Sequence, residues 1–258
     1  MKIIRAFIKI AIASLFCIIT MTSCSELSLS ETELKFPAGF IETKSYVVKT
    51  DLNWDIVEQP DWVKTGKVEE NGRTIVEVMP KVNNSFDSRK GKIKIQTAEK
   101  YYIVDIFQDG VHLKKESGDL GLSVEWNTCN LGATKSTDFG NYYKWDEIHN
   151  YQSNGYRLPT HDEQVELRDN SVWVLGENNG VTGTYFVAKN GNYVFLPAAG
   201  YRGGTDVYRV GSLGVYWSSS ASDGYDANGL FFSSNYVAAY HDYDRCYGRS
   251  VRLVRGKE

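Results

Sequence analysis

The chain is poor in the residues that build metal sites, disulfide frameworks and nucleic-acid surfaces. Its 258 residues hold 4 Cys, 4 His, 3 Met and 5 Pro. The histidines (His112, His149, His161, His241) are scattered and no Cys-x-x-Cys occurs, so no metal site and no cofactor are expected. Lys and Arg number 29 against 32 Asp and Glu, a net charge of −3. Lys2, Arg5 and Lys9 meet no acid in residues 1–23, so the remainder carries −6, as 26 bases against 32 acids. Phosphate contacts supply most nucleic-acid affinity, and an acidic chain with no basic block excludes that class of partner. After Cys24 no apolar run is long enough to cross a bilayer. What is present is apolar and aromatic: 42% hydrophobic residues, with 17 Tyr, 11 Phe and 6 Trp. That composition excludes disorder, and the length predicts about two domains.

Residues 1–23 read as a signal peptide, a charged start followed by a short apolar stretch over 10–19. Met21-Thr22-Ser23-Cys24 resembles a bacterial lipobox. The resemblance implies lipidation of Cys24, with residues 24–30 as a tether and the membrane met only through the anchor. Several acyl chains hold far more firmly than one, at about 0.8 kcal/mol per buried methylene. An uncleaved anchor helix and a plain signal are the alternatives. Cys17 falls inside the signal, which leaves Cys129 and Cys246. A pair between them is open, and a buried Cys129 with an incidental Cys246 is the simpler reading.

Residues 27–111 read as short strands, among them 46–48, 74–78, 92–95 and 101–106. Asn71-Gly72 between two such runs predicts a hairpin, because type I′ turns need positive φ. The spacing predicts an antiparallel sandwich. Trp54 and Trp62 are most simply core or sheet-edge residues, with a sugar platform as the alternative. Asn53-Trp54, Gln59-Pro60-Asp61-Trp62-Val63 and Val104-Asp105-Ile106-Phe107-Gln108-Asp109-Gly110 resemble the BACON domain, an Ig-like module of Bacteroidetes surface lipoproteins. Over 31–111 the resemblance implies an all-β Ig-like sandwich serving as a spacer.

Residues 112–119 are mostly polar and read as a linker. Beyond them Gly, Tyr, Asn, Ser and Trp dominate. Thr160 after Pro159, with Glu163 three residues on, predicts a capped helix to about 168 that turns Val165 and Leu167 to the core. A short helix is expected over 139–148, and strands over 183–188, 193–196, 229–232, 236–240 and 250–254. Trp126-Asn127-Thr128-Cys129, Tyr156-Arg157-Leu158-Pro159-Thr160, Phe195-Leu196-Pro197-Ala198-Ala199-Gly200-Tyr201-Arg202, Tyr216-Trp217-Ser218-Ser219 and Ser250-Val251-Arg252-Leu253-Val254 carry a second resemblance. They are similar to the Fibrobacter succinogenes major paralogous domain, a C-type-lectin-like fold related to the sulfatase-modifying factors. Over 120–255 the resemblance implies an α+β C-type-lectin-like domain with paired terminal strands. Arg157, Trp217 and Arg252 then belong to its scaffold.

Residues 218–250 contain five Tyr, seven Ser and four Asp, and no Lys, Glu, Gln, Met, Trp, Pro, Thr or Ile. Tyrosine gives a large amphipathic contact at small entropic cost, and Ser, Asn and Asp supply hydrogen bonds. The ligand-binding candidates are Asp223, Tyr225, Asp226, Asn228, Phe231, Tyr236, Tyr240, His241, Asp242, Tyr243, Asp244 and Tyr247. Leu230, Phe232 and Val237 read as the inward face of a hairpin between them. Adenine-directed mutation of Asn codons yields only pyrimidine-ending codons, so the missing residue types resemble the lectin-like variable proteins of diversity-generating retroelements. An ordinary Tyr/Ser-rich loop is the alternative.

The expected function is that of a non-catalytic, lipid-anchored outer-membrane protein, facing the periplasm or the exterior, that binds a glycan or a protein. A formylglycine-generating oxidoreductase is the alternative enzyme, with Cys129 and Cys246 its available thiols. A structural subunit of a surface complex or pilus is a third reading. No nucleophile elbow or phosphate-cradling loop occurs. The Glu-Pro-Asn and Trp-Asn-Asp signatures of calcium-dependent lectins are also absent.

Overall fold

A computed structural model describes residues 26–239 and 242–257. The signal segment, Cys24, Tyr240 and His241 lie outside the described residues. The first half forms β1 (Ser28–Leu29), β2 (Glu33–Phe36), β3 (Lys44–Lys49), β4 (Trp54–Glu58), β5 (Val63–Glu70), β6 (Arg73–Pro80), β7 (Arg89–Thr97) and β8 (Tyr101–Gln108). They make two four-stranded sheets, ordered β1-β3-β6-β5 and β2-β8-β7-β4. Strict alternation explains the layering. In β6, Thr74, Val76, Val78 and Pro80 are buried while the residues between them are not. Val76, Val78, Ile93, Ile95, Val104 and Ile106 are sealed from solvent in one cluster drawn from both sheets. Each such side chain contributes roughly 1.5–3 kcal/mol by leaving water. The β5–β6 hairpin turns on Asn71 (φ 51°) and Gly72 (φ 72°), as its sequence predicts. Lys67 Nζ lies 4.2 Å from the Trp54 ring and the Arg89 guanidinium 4.4 Å from the Trp62 ring, so a protein cation already covers one face of each.

The second half comprises β9 (Lys115–Glu116), β10 (Val124–Trp126), α1 (Trp145–Ile148), β11 (Gln152–Ser153), β12 (Tyr156–Arg157) and α2 (His161–Asn170), followed by β13 (Ser171–Asn178), β14 (Val181–Ala188), β15 (Asn192–Pro197), β16 (Tyr201–Gly203) and β17 (Asp206–Tyr208). It closes with β18 (Leu213–Ala221), β19 (Asp226–Ser233), β20 (Tyr236–Ala238), β21 (Asp242–Asp244) and β22 (Val254–Gly256). β10 pairs with β22, so the two ends of this half are joined. The helix α2 starts as expected: the Glu163 N–H donates to Thr160 Oγ1, and the Glu163 carboxylate accepts the Thr160 N–H. Leu167 is sealed and Val165 partly buried.

Two expectations need correction. The helix expected over 139–148 is confined to Trp145–Ile148. Gly140 adopts φ 69°, and the Asn141 N–H donates to the Leu131 carbonyl, so 139–144 hooks back as a loop. The last strand is Val254–Gly256 and not 250–254. The backbone of Ser250, Val251 and Leu253 instead accepts from Trp217, Leu131 and Asn127 in turn, three separate partners where a ladder would have one. Residues 112–119 are also tied down. β9 pairs in parallel with β15, and Ala38, Phe40 and Val82 pack on a cluster of Val111, Val172, Val174, Tyr185 and Val187. No described helix is long and apolar enough to cross a membrane.

Candidate functional site

The tyrosine-rich segment folds onto one sheet, β18-β19-β20, with β21 continuing alongside β19. Tyr216, Leu230 and Phe232 are sealed beneath it, and Phe232 faces Val237 across the β19–β20 turn, the inward face expected from the sequence. Alternation then sends Phe231 and Tyr236 outward, where their rings stand 6.2 Å apart.

The loop before β19 is an acidic ridge. The Asp223 carboxylate accepts N–H bonds from Tyr225 and Asp226, both at 2.7 Å, which holds it below the usual carboxylate range. Tyr225 projects from this turn and is 84% exposed. Arg245 fastens the loop from behind. Its guanidinium donates to the carbonyls of Asp223, Gly224 and Asp226 and lies 4.1 Å from the Trp145 ring. Across the strand pair Asp226 faces Asp244, and Asn228 faces Asp242. Desolvation, then Asp223, Asp242 and Asp244, push the Asp226 carboxyl upward. The Ser222 hydroxyl donates to Asp242, and the Cys246 thiol and N–H hold Asp244 low. Among the described residues no cluster of His, Cys, Asp and Glu is arranged to hold a metal ion.

Tyr243 departs from the expected open display. Opposite Ala227 in the strand pair, it meets Trp217 edge-on at 6.3 Å and is half-buried. Burial pushes its hydroxyl pKa up. Tyr247 instead joins residues that the composition of 218–250 gives no reason to include. Its ring meets Tyr201 edge-on at 5.6 Å, and Tyr201 stacks on Tyr208 at 5.6 Å. Reciprocal backbone bonds between Arg202 and Gly248, at 2.7 and 2.8 Å, bring the two segments together. Gly248 permits this approach, since a Cβ there would stand 2.8 Å from Arg202 Nε. Tyr208 and Tyr247 are open to solvent, so Tyr201, Tyr208 and Tyr247 form an aromatic platform. Tyr201 also lines a cavity of about 730 Å³ together with Leu175, Arg209, Ser212, Phe231 and Ser234. The pairing of segments over forty residues apart has no local signature; the one available signal is the Gly-Gly turn between the flanking tyrosines of β16 and β17.

Behind the platform lies the scaffold. The Trp217 indole donates to the Tyr143 carbonyl at 2.8 Å. Arg252 is sealed, donating from Nε to Asn130 Oδ1 (2.9 Å), from Nη1 to the Asn127 and Thr128 carbonyls (3.1 and 3.0 Å), and from Nη2 to the Phe195 carbonyl (2.9 Å). Arg157 holds Glu163 with two bonds of 2.8 and 2.6 Å. Burial alone would raise the Glu163 carboxyl, but this pair and the Thr160 bonds outweigh it and hold it low. Cys129 is partly buried and Cys246 exposed, and both are free thiols.

No family model and no curated protein matches the chain. Solved structures with partial likeness include a Bacteroides ovatus GH5 xyloglucanase in complex with a XXXG heptasaccharide, at 15% identity and TM-score 0.31. That overlap covers 35% of this chain and 20% of the other. Another is the GspB Siglec domain, at 10% identity and TM-score 0.29, covering 66% of this chain and 92% of the other. The chain thus spans a fifth of the length of the xyloglucanase, and likeness this low bears on neither fold nor function.

Proposed function

We propose that this chain is a lipid-anchored, non-catalytic binding protein. In this reading the BACON-like sandwich lifts a C-type-lectin-like head off the outer membrane, and the head binds glycan or protein on the periplasmic or outer side. The observation that carries it is the open tyrosine platform of Tyr201, Tyr208 and Tyr247 on the half that also bears the acidic ridge of Asp223, Asp242 and Asp244. Ring faces stack on the C–H faces of sugars, and carboxylates accept hydroxyl protons. The joined ends of the second half, through β10 and β22, support the lectin-like reading. Outward Phe231 and Tyr236 alternating with inward Leu230, Phe232 and Val237 support diversification of this surface.

Glycan and protein arrays probed with the detergent-solubilised full chain test the role. A Tyr208→Ala/Tyr247→Ala variant should bind its array ligand at least tenfold more weakly with an unchanged melting temperature. Absence of any ligand on both arrays would end the proposal. The oxidoreductase reading gains nothing from Cys246: a hydrogen bond to Asp244 pushes its pKa up, against the thiolate that copper binding requires.

A further inference from the structure

Arg249 is 6% exposed, and its backbone is pinned by reciprocal bonds to Tyr143 of 2.9 and 3.0 Å. Its guanidinium carbon lies 4.1 Å from the ring centre of Tyr243, 4.9 Å from Trp217, 5.8 Å from Tyr201 and 5.9 Å from Tyr247. Four π faces stabilise the cation, but they offer its N–H groups no lone pair. Nε is buried without a partner. A buried guanidinium with an unmet donor is uncommon, because such groups are ordinarily satisfied by carboxylates or carbonyls. Two of the four rings, Tyr201 and Tyr247, belong to the platform, which places the guanidinium within about 6 Å of it.

Building on the binding role above, we propose that Arg249 anchors the carboxylate of a sugar acid, a uronic-type saccharide whose ring rests on Tyr201, Tyr208 and Tyr247. A turn of the Tyr247 ring, the outermost of the cage, opens the guanidinium to a carboxylate, whose planar oxygens match its fork. The surroundings select a single negative charge. Asp244 acts on Arg249 electrostatically, and Asp223, Asp226 and Asp242 stand on the neighbouring ridge, so a dianion or polyanion is repelled. The same carboxylates accept sugar hydroxyls and disfavour acidic peptides.

The test is calorimetry on the detergent-solubilised full chain with matched ligands: methyl glucuronide and methyl galacturonide, their methyl esters, and the neutral hexosides. The acids should bind at least tenfold more tightly than ester or hexoside. Arg249→Met should erase that preference and Arg249→Lys should keep part of it, with near-ultraviolet circular dichroism checking that each variant folds. The acid–ester comparison needs no variant, so it decides the matter even if Arg249→Met misfolds. Equal binding of acid and ester, or acidic peptides held as tightly as sugar acids, overturns the assignment and leaves the binding role standing. Protein ligands bound with no saccharide have the same meaning. If the arrays also yield nothing, both fall.

Discussion

Arg252 and Arg249 leave the same stretch of chain three residues apart, and both are shut away from bulk water, yet their surroundings are opposite in kind. Arg252 is met at every turn by neutral acceptors: the Asn130 side chain and the carbonyls of Asn127, Thr128 and Phe195. Arg249 is met by rings alone. A buried cation whose three nitrogens all donate to main-chain and amide oxygens holds segments together. One held by π faces keeps its hydrogen-bonding capacity in reserve.

Substitution separates the two most sharply. Arg252→Met takes the donor from three carbonyls and the Asn130 amide oxygen, and should cost about 3 kcal/mol or more in urea unfolding. A smaller loss would erase the distinction. Alkaline titration comes next, because each niche contains a tyrosine whose hydroxyl is pushed up by burial, Tyr216 beside Arg252 and Tyr243 beside Arg249. The unfolded chain ionises these groups from about pH 10 upward while the folded chain holds their protons. Stability should therefore be intact below pH 10 and fall above it, by about 1.4 kcal/mol per pH unit for each tyrosine. Tyr243→Phe should make the fall shallower in denaturant midpoints measured from about pH 9 to about pH 11.5.

Arg157 supplies the ordinary case, an ion pair at the edge of water. Glu163→Gln should cost about 1 kcal/mol in the same assay, through a weakened cap and pair. With its carboxyl held low in the fold, that contribution is present above the usual carboxylate pKa and lost as pH falls below it. The smallest effect belongs to Arg249→Met, which removes a buried charge with an unmet donor and should leave stability within about 1 kcal/mol of the parent. A loss as large as that of Arg252→Met would mark Arg249 as scaffold too.

The parts of the fold that the sequence announces are those governed by neighbours in the chain. Thr160 and Glu163 cap a helix three residues apart, Asn71-Gly72 closes a hairpin, and Leu230, Phe232 and Val237 alternate inward. Features settled by distant partners leave no such trace. The β9–β15 pairing at Lys115–Glu116 rests on backbone bonds, which ask nothing of side-chain polarity, so a strand reads as a linker. β13 is equally silent, because Val172, Trp173, Val174 and Leu175 are all apolar, so no alternation of polarity marks the strand. The site divides the same way. Composition flags Tyr225, Tyr236 and Tyr247, but Tyr201, Tyr208 and Arg249 become visible only once the Arg202–Gly248 contact folds two segments together.

The fastening of the 223–226 loop by Arg245 has an evolutionary consequence. Its three anchor points are all peptide oxygens, so the loop keeps its outline whichever side chain occupies position 225. Under the proposed binding role, position 225 can then change its side chain without the fold being renegotiated each time, much as a type case accepts any letter while the frame stays locked.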